Sequence, residues 1–363
     1  MNKSNVLEEQ YAGLKTNVNA LIQSYEERLN SIDPFGMGLY ARITSCVQIL
    51  RDCDDRFFEK TNPDQYLNQI FQRQIEFLDT IDALMKRLDI KGKFVDTGGL
   101  SDNEARDMLH KDLFNQTWHT LKMSGDPFND YQPYINLINK RLAINGLDQR
   151  FFQGKKTLDV GCGTGRFCFS MAGLGADAWG IDPGSTSIEQ AQQLAKSFHM
   201  ENQTHFIVGN AYALPFEDKS FDFVVCNGVL HHLDSPELAL KEIHRVLKND
   251  GDFWLYIEGS GGIYHDVWSL ICRSFNNISL SRTLEAVKQL KIPNMHFWTD
   301  IFYAKYHLVS WDENVARLKR IGFKEVIRKK GAELIDLDIE MFKDDPFAKI
   351  KFGDGGLRML IRK

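Results

Sequence analysis

The run LDVGCGTGR, Leu158 to Arg166, constrains this 363-residue chain more than any other stretch. Gly161, Gly163 and Gly165 stand at alternate positions directly behind a short apolar run. Glycines clustered this way mark a tight turn, or a place where another molecule must touch the main chain. Lys155-Lys156-Thr157-Leu158-Asp159-Val160 reads as a short buried strand, and the residues from 167 to 174 as the start of a helix. Strand, glycine turn, helix is the layout of a cofactor-binding crevice. The same alternation continues downstream. Strand candidates at 157–160, 178–181, 204–208, 222–226 and 252–257 are separated by helical stretches at 165–174, 186–198 and 236–247. That order implies right-handed β-α-β units and a mostly parallel sheet, an α/β fold.

The chain upstream is of another kind. Residues 1–90 carry no strand signal, and Leu7, Tyr11, Leu14, Val18, Leu21 and Tyr25 recur at alternating spacings of four and three. Such a seam belongs to a helix that packs on helices, either inside a small bundle or against a second copy of the chain, which would make a homodimer. Further helices are predicted near 37–59 and 64–88, the latter started by Asn62-Pro63-Asp64. Lys91 to Glu104, with Gly98-Gly99, reads as a linker ending in a helix cap, and 104–150 is again helical. The predicted organisation is an N-terminal helical bundle over 1–100 and an α/β domain over 101–363.

Composition narrows the partners. A net charge of −5, without basic clustering in the N-terminal helices, argues against nucleic acid. The six cysteines form no C-x-x-C pair, which points to reduced thiols and to no metal site. No window approaches the roughly 20 apolar residues that span a bilayer, and no apolar leader opens the sequence. The expectation is a cytoplasmic protein with no membrane partner.

The glycine spacing decides less than it first suggests. A dinucleotide fingerprint needs G-x-G-x-x-G, and here Arg166 stands where the last glycine would be. Asp182 ends the second predicted strand, where an acid can accept from both hydroxyls of a ribose or can cap the next helix. Asp159 beside the turn suits a cationic ligand better than a pyrophosphate. The tract NAYALPFEDKSFDFVVCNGVLHHLDSP, followed by ALKEIHRVLKNDG, carries more. Together with D-x-G-x-G-x-G and the acid after strand two, it resembles the class I, seven-stranded S-adenosylmethionine-dependent methyltransferases. The likeness is nearest to the group that includes the ubiquinone and menaquinone biosynthesis methyltransferases. It covers about 155–260, with weaker agreement over 309–330.

The resemblance implies a seven-stranded Rossmann-like sheet, S-adenosylmethionine as methyl donor and S-adenosylhomocysteine as product. It implies that Asp159, Gly161, Cys162, Gly163 and Gly165 hold the methionine arm, and that a Cβ at Gly161 or Gly163 would obstruct it. Asp182 and Pro183 would hold the ribose, Asn210-Ala211 would lie beside the adenine, and Asn227 would approach the sulfonium. Asn210 departs from the family's usual Asp. Trp118, before the first strand, would close over the cofactor.

Methyl transfer needs an aligned acceptor and, for a protonated one, removal of a proton. His231 and His232 after strand four and Glu258 after strand five stand where family members often place a histidine and an acid. One histidine is expected to pack inward and His232 to face the acceptor as base, with Glu258 orienting that imidazole or holding an acceptor cation. The aromatic-rich stretch 259–308 reads as a helical lid inserted after strand five. In it His265 is a candidate acceptor contact, and Asp300, Tyr303 and His307 have helical spacing that could present one polar face. The expected activity is methylation of a small organic acceptor. Methylation of RNA or protein, with the N-terminal helices as a recognition module, and a cofactor-binding protein without catalysis are the alternatives.

Overall fold

The structure is a computed structural model; it describes residues 3–54, 63–88, 130–148, 150–292, 298, 301–304, 306–332 and 348–363. These fall into two compact units, one within 106–260, 305–342 and 354–363, the other within 1–105, 261–304 and 343–353.

The first unit is a seven-stranded sheet, β1 (Lys156–Val160), β2 (Asp177–Asp182), β3 (Thr204–Val208), β4 (Phe221–Asn227), β5 (Leu247–Glu258), β6 (Glu325–Lys329) and β7 (Gly356–Arg362), in the order β3-β2-β1-β4-β5-β7-β6. The first five strands are parallel, and β7 runs antiparallel between β5 and β6. Leu158, Val224, Phe253 and Leu255 bury on one face, Phe223, Val225, Trp254 and Leu360 on the other. Burial on both faces explains why these strands read as apolar runs rather than alternating ones. Lys248-Asn249-Asp250-Gly251 forms an excursion inside β5, where the register shifts between Phe221↔Leu247 and Phe223↔Asp252. Strand order reverses beside β1, between β1 and β4, so the carboxyl ends of those two strands open a crevice.

Helices α4 (Gln132–Ile144), α5 (Arg166–Gly173), α6 (Ser185–Ser197), α7 (Pro236–Val246) and α10 (Trp311–Ile321) cover this sheet. α10 starts with a capping box, Ser310 accepting from the Glu313 N–H while the Glu313 carboxylate accepts from the Ser310 N–H. Leu318 of α10 joins Leu240 and Ile243 of α7 in the core.

The second unit is helical. α1 (Lys3–Ser31), α2 (Gly36–Asp54) and α3 (Pro63–Arg87) pack with α8 (Ile263–Phe275), α9 (Leu280–Gln289) and α11 (Ala348–Phe352). The α1 seam is formed by Val18, Ile22, Tyr25, Leu29 and Ile32; Leu21 is only half-buried, and the side chains of Leu7, Tyr11 and Leu14 lie outside the description. α3 and α8 cover α1 from within the same chain, so this part of the seam is closed without a second copy. Tyr25 is fully buried, edge-on to Phe71 with centroids 5.8 Å apart, and its hydroxyl meets Ser45 Oγ at 2.8 Å. The buried guanidinium of Arg42 donates from Nε to the Ile32 carbonyl at 2.9 Å and from Nη1 to that of Ser274 in α8 at 3.4 Å. The stretch read as a lid on the sheet domain thus folds, from 261 to 304, into the compact unit of the N-terminal helices. Among the described residues no helix is long and apolar enough to cross a membrane.

Candidate active site

The glycine turn joins β1 to α5. Gly161, Gly163 and Gly165 have φ of +79°, +52° and +88°, a region in which a side chain would strain against its own backbone. Folding the chain back this way lets the Gly161 and Cys162 N–H groups donate to the Ile181 carbonyl at 2.8 and 3.1 Å, tying the turn to β2. A Cβ on Gly161 would come within 2.4 Å of Val229 Cγ2, so the protein's own side chain already forbids one there. The Cys162 side chain is buried in the core, and its Sγ lies 3.6 Å from the Gly163 carbonyl of the turn.

The two acids sit on either side of the turn. Asp182, at the end of β2, accepts from the Gly163 N–H through Oδ2 at 2.9 Å and from the Gly184 N–H through Oδ1 at 2.8 Å. Burial raises its pKa, and those two donors pull it back down. It therefore fixes the glycine turn and the start of α6 together. Asp159 is 3% exposed, and Cys168 Sγ lies 4.0 Å from its Oδ2. Burial above all, with the Asp182 charge behind it, pushes its pKa up to about 8. Thr164 Oγ1, also buried, has no hydrogen-bond partner among the described residues.

Asn210 does something other than expected. Its Oδ1 accepts from the Tyr212 and Ala213 N–H groups at 2.9 and 3.1 Å. An amide oxygen has two lone pairs, and both are engaged in shaping the loop, so this oxygen is not held ready for an adenine amino group. Ala211 packs half-buried against the core, and Pro183 is exposed. Asn227, ending β4, accepts from Trp254 Nε1 at 3.4 Å.

At the acceptor end, a single turn of 3-10 helix, Leu230–His232, follows β4. His231 is 4% exposed and His232 half-buried. His231 Nδ1 accepts from the backbone N–H of Glu258 at 2.9 Å, and its Nε2 faces His232 Nε2 at 3.0 Å. Glu258 thus meets His231 through its main chain, while its Oε1 accepts from the Tyr256 hydroxyl. Arg358 of β7, buried and opposite Tyr256 in the register, holds its guanidinium 4.1 Å from the Tyr256 ring centroid. The Tyr306 ring stacks on His231 at 5.0 Å and meets His232 edge-on at 4.5 Å. The His307 N–H donates to the His231 carbonyl at 2.7 Å, and its Nε2 is buried without a hydrogen-bond partner among the described residues.

His265 is buried in the helical unit, its Nδ1 3.1 Å from the Gly261 carbonyl. Tyr303 donates to the Ile278 carbonyl at 2.9 Å and meets Thr283 Oγ1 at 2.6 Å, and burial raises its pKa. Both hydroxyl partners serve the packing of that unit. Tyr303 lies in helix while 306–308 are irregular, so Tyr303 and His307 do not share a helix. Asp300 and Trp118 lie outside the described residues. Tyr256, Arg358 and Tyr306 were not singled out as site residues. Tyr256 shares a strand face with Glu258 at period two, a readable signal; Arg358 arrives only through the antiparallel pairing of β7.

Residues 158–255 match the family described as methyltransferase domain. A ubiquinone biosynthesis O-methyltransferase of Glaesserella parasuis serovar 5 (strain SH0165) is 37% identical over 131 residues, 35% of this chain and 55% of that protein. A ubiquinone/menaquinone biosynthesis C-methyltransferase UbiE of Rhodopseudomonas palustris (strain HaA2) is 34% identical over 146 residues, 39% of this chain and 58% of that protein. The chain spans little more than half the length of these two curated relatives. Among solved structures, the Burkholderia thailandensis 1,6-didemethyltoxoflavin-N1-methyltransferase with bound 1,6-didemethyltoxoflavin and S-adenosylhomocysteine aligns at a TM-score of 0.42 and 18% identity, over 74% of this chain and 93% of that one. The glycine turn, the acids flanking it and the histidine pair thus lie within a segment of known type, and residues 158–255 carry a class I S-adenosylmethionine-dependent methyltransferase domain.

Proposed function

We propose that the protein transfers a methyl group from S-adenosylmethionine to a small organic acceptor. The observation that carries the cofactor half is the turn itself, three left-handed glycines held against Asp182, with a buried carboxyl at Asp159 and an unpartnered hydroxyl at Thr164 beneath them. A donor carrying an ammonium group suits Asp159, whose buried carboxyl ionises more readily beside a positive charge. Asp182 keeps acceptor capacity for ribose hydroxyls, since each oxygen gives one of its lone pairs to the backbone. When bound, the cofactor supplies an electrophilic methyl on a sulfonium. His232 and Glu258, at the carboxyl ends of β4 and β5, are assigned to the acceptor, and Asn227, ending β4, to the sulfonium end of the cofactor.

A small acceptor is favoured because the polar groups that gather there are half-buried or buried rather than spread over a surface. The test is calorimetry with S-adenosylhomocysteine, then labelled S-adenosylmethionine offered with a metabolite extract, an RNA fraction and a protein fraction. The expected result is micromolar-range binding and label in the metabolite fraction. Label in RNA or protein would replace the acceptor class, and binding without transfer would support a cofactor-binding protein instead.

A further inference from the structure

The end of the sheet opposite the glycine turn carries a second polar site. Between Phe221↔Leu247 and Phe223↔Asp252, Asp222 alone on β4 stands against Lys248-Asn249-Asp250-Gly251 on β5. The excursion walls a cleft of about 380 Å³, which is also lined by Lys155 before β1, Lys219 before β4, Asp222 and Asp252. It lies at the amino ends of β1, β4 and β5, whereas the crevice opens at the carboxyl ends of β1 and β4.

The acids of this cleft are engaged and two of its ammonium groups are not. Asp222 Oδ1 accepts from Lys248 Nζ at 2.6 Å, and its Oδ2 accepts from the Lys156 N–H at 2.9 Å. The buried Asp252 turns Oδ1 to Arg362, whose Nε and Nη2 donate at 3.3 and 3.2 Å. Its Oδ2 lies 3.9 Å from Lys155 Nζ, an ion pair without a hydrogen bond. Lys155 Nζ sits 3.6 Å from the centroid of the Phe151 ring and has no hydrogen-bond partner among the described residues. Burial lowers its pKa, and the charges of Asp252 and Asp222 offset only part of that. Lys219 has a φ of +56°, uncommon for a residue with a side chain, and no carboxylate within ion-pair distance among the described residues. Lys363, whose charge is felt together with that of Lys219, spends its ammonium on the Leu247 carbonyl at 2.7 Å.

We propose that this cleft binds a small phosphorylated metabolite, with Lys155 and Lys219 donating to the phosphate oxygens, Lys248 supplying a third positive charge, and Asn249 and Asp250 meeting hydroxyls of the organic part. A phosphomonoester carries about two negative charges near neutral pH and three acceptor oxygens, enough to engage both ammonium groups at once. Lysine serves phosphate as a point charge, so no planar fork is required. A bound anion restores to Lys155 the solvation that burial removes. The volume exceeds what a bare phosphate fills and falls in the range of about 300–1,000 Å³ usual for small-molecule sites. The Asp250 carboxylate, exposed and unpaired among the described residues, accepts from a hydroxyl and disfavours a ligand that is anionic at both ends. None of these groups belongs to the glycine turn or to the histidine cluster, so the site stands whether or not methyl transfer does.

The experiment is calorimetry and phosphorus NMR on the full chain with inorganic phosphate and with glycerol phosphate. It compares the wild type, Lys155→Gln, Lys219→Gln and, as a control, Lys196→Gln, an exposed position on α6 outside the cleft. Expected is one saturable site with a Kd of about 1 mM or tighter, and glycerol phosphate binding more tightly than inorganic phosphate. Lys155→Gln and Lys219→Gln should each weaken it about tenfold or more, as the loss of a charge-assisted hydrogen bond requires, and Lys196→Gln should leave it unchanged. Absence of saturable binding, or equal weakening by Lys196→Gln, overturns the site. Displacement by acetate at equal concentration overturns the phosphate class, and glycerol phosphate binding no tighter than inorganic phosphate overturns the organic occupant. Lys219 is exposed, so its variant keeps the test decisive even if Lys155→Gln fails to fold.

Discussion

At the scale of single residues, the acids flanking the glycine turn do two jobs each. Asp182 holds Gly163 and Gly184 by their N–H groups and is assigned to the ribose as well. Asp182→Ala is expected to weaken S-adenosylhomocysteine binding by roughly 2–4 kcal/mol in calorimetry, since hydrogen bonds to a charged group contribute about 1.5–3 kcal/mol each and do not fully add. A loss under about 0.5 kcal/mol would leave it only its turn-fixing role, on the same scale. Asp159 gives a pH signature. Its ordinary pKa is 3.8 and burial raises it to about 8. Because the folded chain holds that proton and the unfolded chain releases it, this group's contribution to stability is complete below about pH 4 and is lost as pH rises through about 8. A bound ammonium favours the ionised carboxylate, so cofactor affinity should rise over the same range while a proton is released. Asp159→Asn should flatten both profiles; chemical denaturation and calorimetry in buffers of different ionisation enthalpy will show whether it does.

At the scale of elements, position follows from how each segment ends. α10 begins at a capping box and buries Leu318, whose full burial is worth about 1.5–3 kcal/mol. Ser310→Ala removes one arm of the box and should lower stability by about 1 kcal/mol without moving cofactor affinity. Thermal unfolding measures the first and calorimetry the second; an unchanged Tm would mean that water replaces the cap. β5 matters more for chemistry. Its period-two face sets Trp254, Tyr256 and Glu258 in line, against Asn227 on β4 and Arg358 on β7. The strand's last N–H then holds His231 through Nδ1, a contact made by an element end and not by a side chain.

At the scale of the whole molecule, the helical insertion belongs with the N-terminal helices. Glu26 of α1 takes Arg273 of α8 in two hydrogen bonds at 3.0 and 2.8 Å, and Arg42 of α2 caps the Ser274 carbonyl. A chain beginning at residue 102 would strip these partners from Leu270, Ile271 and Phe275, all fully buried. It is expected to aggregate or bind hydrophobic dye, whereas a chain that also replaces 261–304 and 343–353 by short linkers should keep the sheet unit and bind S-adenosylhomocysteine. Light scattering and calorimetry on the two chains decide it, and a soluble, well-behaved first truncation would contradict this grouping.

The local sequence determined whatever depends on near neighbours. Apolar runs buried on both faces marked the first five strands, and spaced glycines marked a turn whose φ values only glycine adopts freely. Leu7 to Tyr25 announced helix packing because helical contacts repeat every three or four residues. Tertiary structure decided what depends on distant pairing. β6 and β7 are antiparallel partners joined through residues far apart in sequence, and no local period announces that Arg358 faces Tyr256. That the Asn210 oxygen accepts from the Tyr212 and Ala213 N–H groups of its own loop was likewise visible only in the fold. The histidine pair shows the division most clearly. His231 and His232 are adjacent in the sequence, but the donor to His231 Nδ1 is the Glu258 N–H, 27 residues away, and that contact exists only once the strands have met.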